Sequence, residues 1–275
     1  MKKEEKIKWN TYHTKNIKSK YLYRYVSIEK LISFLNTGSL YFARMDSFED
    51  NLEGIIPYDI VELFANYDDL PSLEERNPEI SKEIWKDIEN HRAGKLTKLQ
   101  ESLLNRQKER FVSCWFLSDA ESIAMWDLYA TDGFLIRFDR QYLQNLVKLR
   151  KDLQEKIPQD SNDLLVAGRV RYQNFNEVHL DEEGKLIRYS GFRKHVAFKH
   201  EAEYRFILHK KKNDSNGIFY SLGDINELKF DLFANPRMKS FTLSTYNDII
   251  KKYNSKFQLK ESELKPWLHF KETTF

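Results

Sequence analysis

The sequence predicts an α+β fold: a mixed, mostly antiparallel sheet flanked by helices, with a helical segment inserted at about 57–109. Three observations predict it. Short stretches alternating aromatic or aliphatic residues with polar ones recur along the chain, the signature of half-buried strands. Helical patterns separate some of these stretches and not others, so the regular strand–helix alternation of a parallel sheet is missing, and no segment repeats. Hydrophobic residues make up 41% of 275, enough for one core, against only 9 Gly and 6 Pro. Residues 1–275 read as a single domain, with 1–18 a charged and loosely ordered lead-in.

Taken in order, Tyr21 to Val26 alternates and predicts a strand. Ser27 is placed to cap a helix whose Ile28, Leu31, Ile32 and Leu35 share a face, and Gly38 stands where a helix end favours a left-handed residue. Ser39 to Arg44 predicts a second strand, followed by an acidic loop from Met45 to Gly54 around Phe48. Arg110 to Leu117 reads as a buried strand. Ser118 and Glu121 have capping-box spacing ahead of a helix carrying Met125, Trp126 and Tyr129. Gly133 to Phe138 predicts a strand, and Asp139 caps a helix to about 156. One strand lies within 162–172, then a polar stretch to 187 and a helix over about 188–200. Glu203 to Leu208 alternates strongly. Shorter strands are expected at 218–222, 228–233 and 240–243, a helix at 246–253, and an extended tail with Trp267, Phe270 and Phe275.

Composition excludes several classes. The net charge is +3 with both signs interspersed, so charge alone does not predict a nucleic-acid surface. A lone cysteine, Cys114, rules out an internal disulfide and a cysteine-based metal cluster. The His residues show no His-Glu-x-x-His spacing, and no metal is predicted. No apolar run has the length of a membrane span and the first residues lack a secretory pattern, so a cytoplasmic protein is expected, with no membrane partner. There is no Gly-x-Ser-x-Gly elbow, and Cys114, in an apolar strand, reads as a buried thiol.

Three segments carry chemistry. Glu201 and Glu203 are two apart at the mouth of a strand, which aims both side chains the same way. Paired carboxylates can divide labour, one stabilising positive charge while the other moves a proton, as bond breaking at an anomeric carbon requires. The plainer alternative is a solvated strand face, with the carboxylates paired to Arg205 or Lys199. Trp126 and Tyr129 are three apart on one helix face, suited either to stacking on a nicotinamide or adenine or to core packing. Arg24 lies between Tyr23 and Tyr25 on a strand and points opposite to both. Such an arginine either reaches an anion such as a pyrophosphate or pairs with a buried carboxylate.

Together the early Leu-Tyr-Arg-Tyr strand, Leu40-Tyr41-Phe42, the Phe48 acidic loop, Ser113-Cys114-Trp115-Phe116, Met125-Trp126-Asp127-Leu128-Tyr129, Gly133 with its strand, and Lys199, Glu201 and Glu203-Tyr204-Arg205 resemble a bacterial family of unknown function, DUF2971. The resemblance covers roughly residues 21 to 210. It departs at Leu128, where the family has histidine, and at Glu49-Asp50-Asn51, which replaces an Asn-Asp-Pro loop. The family label implies no chemistry. A weaker similarity does: Arg24, then Ser113, then Glu201-x-Glu203 follow the order of site residues in ADP-ribosyltransferases. That resemblance implies NAD as substrate, transferred as ADP-ribose to an unknown acceptor, protein or nucleic acid. It casts Arg24, with Tyr25 beside it, on the dinucleotide, Ser113 on the nicotinamide side, Glu203 on the ribose and the oxocarbenium, Glu201 on the acceptor, and Trp126 or Tyr129 stacked on the nicotinamide.

Two other readings stand beside it. One is a non-catalytic module of a bacterial defence system, such as phage defence, or of a toxin-like system. It would bind a partner or nucleic acid through 57–109 or through the basic stretches 188–199 and 209–212. The other is a metal-dependent nuclease using Asp46, Glu49, Asp50 and Glu53.

Overall fold

A computed structural model describes residues 7–50, 53–54, 105–151, 163–174, 190–211, 214–253 and 257–265. A large mixed sheet runs through them, mostly antiparallel, as the alternating segments predict. Its strands are β1 (Lys8–Tyr12), β2 (Tyr21–Val26), β3 (Ser39–Arg44), β4 (Arg110–Ser118), β5 (Phe134–Asp139), β6 (Leu164–Arg169), β9 (Glu203–His209), β10 (Gly217–Ser221), β11 (Asp231–Ala234) and β12 (Leu259–Lys260). The order is β1-β6-β9-β4-β2-β5-β11-β12, with β3 on β4 and β10 on β3. Only the outermost pairs of that order, β1 with β6 and β11 with β12, are parallel. Two further short strands, β7 (Arg171–Gln173) and β8 (Arg193–His195), pair in parallel as a small second sheet.

The two faces differ. Helices α1 (Ile28–Thr37), α3 (Arg140–Arg150) and α4 (Ser240–Tyr253) cover one. Their Leu31, Phe34, Leu35, Leu143, Val147 and Ile250 join Phe111, Trp115, Phe138, Tyr204, Phe206 and Leu208 in one cluster. The other face carries the short α2 (Ile123–Tyr129), two small apolar clusters and a group of buried charges. Strand alternation sorts the side chains: along β9, Tyr204, Phe206 and Leu208 enter the main core, while Glu203 and Arg205 take the opposite face.

The sheet forks at β4. Phe111 and Val112 pair with β3, Phe116 to Ser118 pair with β2, and Ser113, Cys114 and Trp115 register with neither. β2 and β3 therefore diverge and open a gap in the sheet along that edge of β4.

Several local expectations are corrected. Lys8–Tyr12 is a strand rather than a loose lead-in, because β6 offers it an edge beside Gly168. Gly38 caps α1 at φ 58, as expected, but Ser27 makes no side-chain cap bond. α2 is capped by Ser122, whose hydroxyl accepts from the Met125 N–H, not by Ser118. Glu121 instead accepts from the Trp126 indole and from Ser262 and Glu263. Asp139 caps α3 by accepting from the Tyr142 N–H.

The single strand expected in 162–172 is broken at Val170 into β6 and β7. Residues 188–200 were expected as a helix; from Ser190 on they form a 3-10 turn, β8 and a second 3-10 turn, Val196–Glu201. Arg193 and Lys194 point inward there, which a solvated helix face does not allow. Residues 240–243 open α4 instead of a strand, because Leu243, Tyr246, Ile250 and Tyr253 share a helical stripe that the first four residues alone conceal. The segment 57–104, the end of the helix expected to 156 and the tail beyond 265 lie outside the described residues; 105–108 are helical.

Candidate functional site

Beneath the fork lies a cleft of about 500 Å³. Its walls include Arg24, Tyr25, Trp115, Phe116, Tyr129 and Phe198, and its floor carries Glu53, Lys194, Glu201, Glu203 and Arg205. All five floor residues are buried.

Local structure explains how each arrives. Glu203 opens β9 and Arg205 follows two residues later on the same face. Glu201 ends the preceding 3-10 turn, and Ala202 between them takes a left-handed conformation, φ 38. A non-glycine residue there is uncommon and strained, and such strain gathers at sites where geometry is over-determined. The two carboxyl groups thus converge, but through a kink rather than simple strand alternation. Lys194 comes from β8. Glu53 comes from the acidic loop, whose backbone is clamped where Gln107 and Arg110 donate to the carbonyls of Glu53 and Gly54 at 2.5 and 3.0 Å. Gly54 is required in that clamp: at φ +71, an added Cβ would meet the Met45 sulfur at 2.0 Å.

The floor is one network of three carboxylates and two cations. Lys194 Nζ donates to Glu201 Oε2 at 2.5 Å and Glu203 Oε1 at 3.0 Å, and lies 3.4 Å from Glu53 Oε2. Arg205 donates to both Glu203 oxygens at 2.7 and 2.8 Å, to Glu53 Oε1, and to the Gly191 carbonyl at 2.7 Å. The Tyr129 hydroxyl donates to Glu201 Oε1 at 2.7 Å, and the Tyr172 hydroxyl accepts from the Glu203 N–H at 2.8 Å. Glu53 Oε2 is buried and takes no hydrogen bond.

These contacts divide the carboxylates. Burial pushes Glu203 toward neutrality, but the charge and hydrogen bonds of Arg205, with Lys194 behind, outweigh it and hold the group well below the usual carboxylate range. Glu201 goes the other way: burial, then the hydrogen bond and charge of Glu203, raise it, and Lys194 and Tyr129 only partly offset that. Lys194 loses by burial but is held above its ordinary value by Glu203 and Glu53. The site therefore holds an ionised carboxylate beside a proton-avid one, the arrangement that acid–base chemistry uses. The Cys114 thiol on the same wall is pushed well up by burial and by Glu203, so it stays protonated.

Arg24 is in the cleft wall, and its two alternatives separate. Among the described residues no carboxylate pairs with it. Its Nη1 donates to Ser113 Oγ at 3.2 Å and its Nη2 to the Tyr41 carbonyl at 3.0 Å, across the fork, with the guanidinium 5.5 Å from the Trp115 ring centroid. Two of five donor hydrogens are used, leaving a cation with open donors beside the cleft. Ser113 is fully buried, accepts also from the Trp115 indole at 3.1 Å, and orients Arg24 rather than facing the cleft. Tyr25 lines the cleft, its hydroxyl accepting from the Ser122 N–H.

Trp126 is fully buried, edge-on to Tyr25 in an apolar cluster, and does not line the cleft. Tyr129 lines it, but its hydroxyl is engaged by Glu201. Tyr23, Tyr25 and Phe116 also line the cleft, all three of them buried. A solvated Glu-x-Glu face is overturned, since both glutamates are buried.

The acidic loop divides its carboxylates: Asp46 pairs with Arg44 at 2.6 Å, Glu49 and Asp50 line the cleft, and Glu53 turns inward to Arg205. Among the described residues no group of three or more His, Cys, Asp or Glu side chains is placed to hold a metal. Among the described residues the basic stretches form no continuous exposed field, since Arg193 and Lys194 are buried and Lys210 is buried against Asp163 at 2.8 Å. No described helix is long and apolar enough to cross a membrane. Sequence reasoning assigned Lys194 no role, because a lysine in a mixed-charge stretch carries no local sign of burial. Glu53 was noticed only as part of an acidic run.

Residues 125–206 match the model of a family described as a protein of unknown function (DUF2971). The match runs from α2 to β9 and includes Tyr129, Lys194, Glu201, Glu203 and Arg205, while Arg24, Glu53 and Ser113 lie before it. No curated protein and no solved structure matches the chain.

Proposed function

We propose that the cleft cleaves the glycosidic bond of an anionic nucleotide, with NAD as substrate and ADP-ribose transferred to an acceptor nucleophile. The observation that carries this reading is the pair Glu201 and Glu203, adjacent on one cleft floor, with Arg205 on both oxygens of Glu203 and the Tyr129 hydroxyl on Glu201. In this reading Arg24 receives a phosphate oxygen with its open donors, and Tyr23, Tyr25 and Phe116 receive a planar ring.

As the bond from the ribose anomeric carbon to the nicotinamide nitrogen breaks, the bonding pair leaves with nicotinamide, which departs neutral. The ionised Glu203 faces the positive charge left on the sugar. The acceptor's lone pair then closes the new bond, and its proton passes to Glu201, whose raised proton affinity makes it the better base of the two while ionised. Ser113 serves by holding Arg24, and Tyr129 by holding Glu201.

The test is incubation of the purified protein, and of its Glu201→Gln and Glu203→Gln variants, with labelled NAD in cell lysate. Nicotinamide release or label transfer that vanishes in both folded variants is the expected result. No turnover by the wild-type protein, together with no thermal shift on adding NAD, would overturn the reading.

A further inference from the structure

The Lys194 ammonium stands where a ligand would have to act, against both carboxylates of the proposed chemistry. Its nitrogen stands against three carboxylates at unequal range: Glu201 at 2.5 Å, Glu203 at 3.0 Å and Glu53 Oε2 at 3.4 Å. Two of these are hydrogen bonds and the third is not, although the Glu53 oxygen is buried and has no other donor. A buried carboxylate oxygen without a donor is costly, and the cost falls if the ammonium moves onto it. The lysine stem permits this, since an ammonium is a point charge on a flexible chain, unlike the planar guanidinium of Arg205 that is fixed on Glu203, Glu53 and the Gly191 carbonyl.

We propose that Lys194 is a positioning residue whose ammonium is the resident cation of a site made by Glu201, Glu203 and Glu53, and that it shifts onto Glu53 Oε2 when a ligand takes the Glu201 side. The two states are close in energy because each satisfies two carboxylates. In the resting cleft the ammonium holds Glu201 and Glu203; after the shift Glu201 is released to the ligand while Glu203 and Glu53 keep the ammonium. Glu53 is then the landing point that keeps the movement inside the network.

Two experiments on the full-length protein test this, and neither uses NAD, so they decide it whether or not the glycosidic reading survives. The first is thermal unfolding of Lys194→Ala with ethylammonium chloride, against sodium chloride of equal ionic strength. The small cation should fill the vacated place and restore at least half of the lost Tm saturably, with no such rise in the wild-type protein. A variant that stays unrescued, or that ethylammonium stabilises no better than sodium, would overturn the resident-cation site. The second is a crystal structure of Glu201→Gln, which weakens the Glu201 side as a ligand would and covers the case in which the alanine variant does not fold. Lys194 Nζ should lie at hydrogen-bond distance, about 2.8–3.0 Å, from Glu53 Oε2. A distance unchanged from 3.4 Å would overturn the shift.

Discussion

Replacing Glu203 by glutamine should cost more stability than replacing Glu201, although the two residues are neighbours on one network. Arg205 is fully buried and takes both oxygens of Glu203. Glutamine keeps one acceptor and turns an NH2 group toward Arg205 or Lys194, so a buried cation loses a charged partner. Breaking a buried pair in this way costs about 3–5 kcal/mol. Glu53 remains on Arg205, so the low end, about 3 kcal/mol, is expected.

Glutamine at 201 keeps one acceptor for Tyr129 or Lys194, and Lys194 stays on Glu203, so the loss should be about 1 kcal/mol. At about 2–3 °C of Tm per kcal/mol for a chain of this size, the losses are roughly 6–9 °C for Glu203→Gln and roughly 2–3 °C for Glu201→Gln. Differential scanning calorimetry at pH 7 measures both.

The pH dependence has a definite sign. The folded Glu203 titrates below its ordinary 4.5, so its stabilisation is present above that pH and is lost as the pH falls below it. The gap between wild type and Glu203→Gln should therefore narrow below pH 4.5. A Tm for Glu203→Gln within 2 °C of wild type, about 1 kcal/mol, would refute the charge accounting, as would a larger loss in Glu201→Gln.

Arg24→Lys keeps the charge but not the two-pronged hold on Ser113 and Tyr41, and should weaken NAD binding about tenfold by calorimetry; unchanged affinity would remove Arg24 from the ligand site. Gly168→Ala would place a Cβ 1.9 Å from the Tyr12 carbonyl oxygen. It should cost about 1–3 kcal/mol and speed amide exchange at Lys8–Tyr12 before the rest of the sheet, and uniform exchange would argue against β1 as an independently removable edge. His209 is held neutral, its pKa pushed down to about 3 by burial and then by Arg110, and its Nε2 is buried without a partner. The unfolded chain takes up the proton near 6.5, so from there down toward pH 3 this residue removes about 1.4 kcal/mol of stability per pH unit. His209→Leu should flatten that part of the stability–pH curve in urea titrations, and an unaltered slope would refute it.

Part of the candidate site was legible. Glu201 and Glu203 stand out as a close carboxylate pair ahead of a strongly alternating strand, and Arg24 as a cation set into an aromatic one. What misled was face and depth. Trp126 and Tyr129 do share a helix face, but α2 is short and packed, so the indole is buried while the phenol reaches out to Glu201. The charged run around Lys194 looks solvated because its partners lie at positions 53, 201 and 203, one of them far away in the chain. Ser118 and Glu121 have the spacing of a cap, yet Ser122 forms it and Glu121 tethers Ser262 and Glu263.

By itself the sequence determined the strands whose two faces meet different surroundings and the helix ends at Gly38 and Asp139, because alternation, a left-handed glycine and a cap are properties of a few consecutive residues. Only the tertiary structure decided that β1 joins the sheet, that β2 and β3 part along β4, and that Arg24 crosses the gap. It alone decided, too, that Glu53 and Lys194 complete a charge network around Glu201, Glu203 and Arg205. Periodicity says which way a side chain points; which distant group it meets depends on strand pairing, and the protonation of a buried carboxylate depends on that meeting.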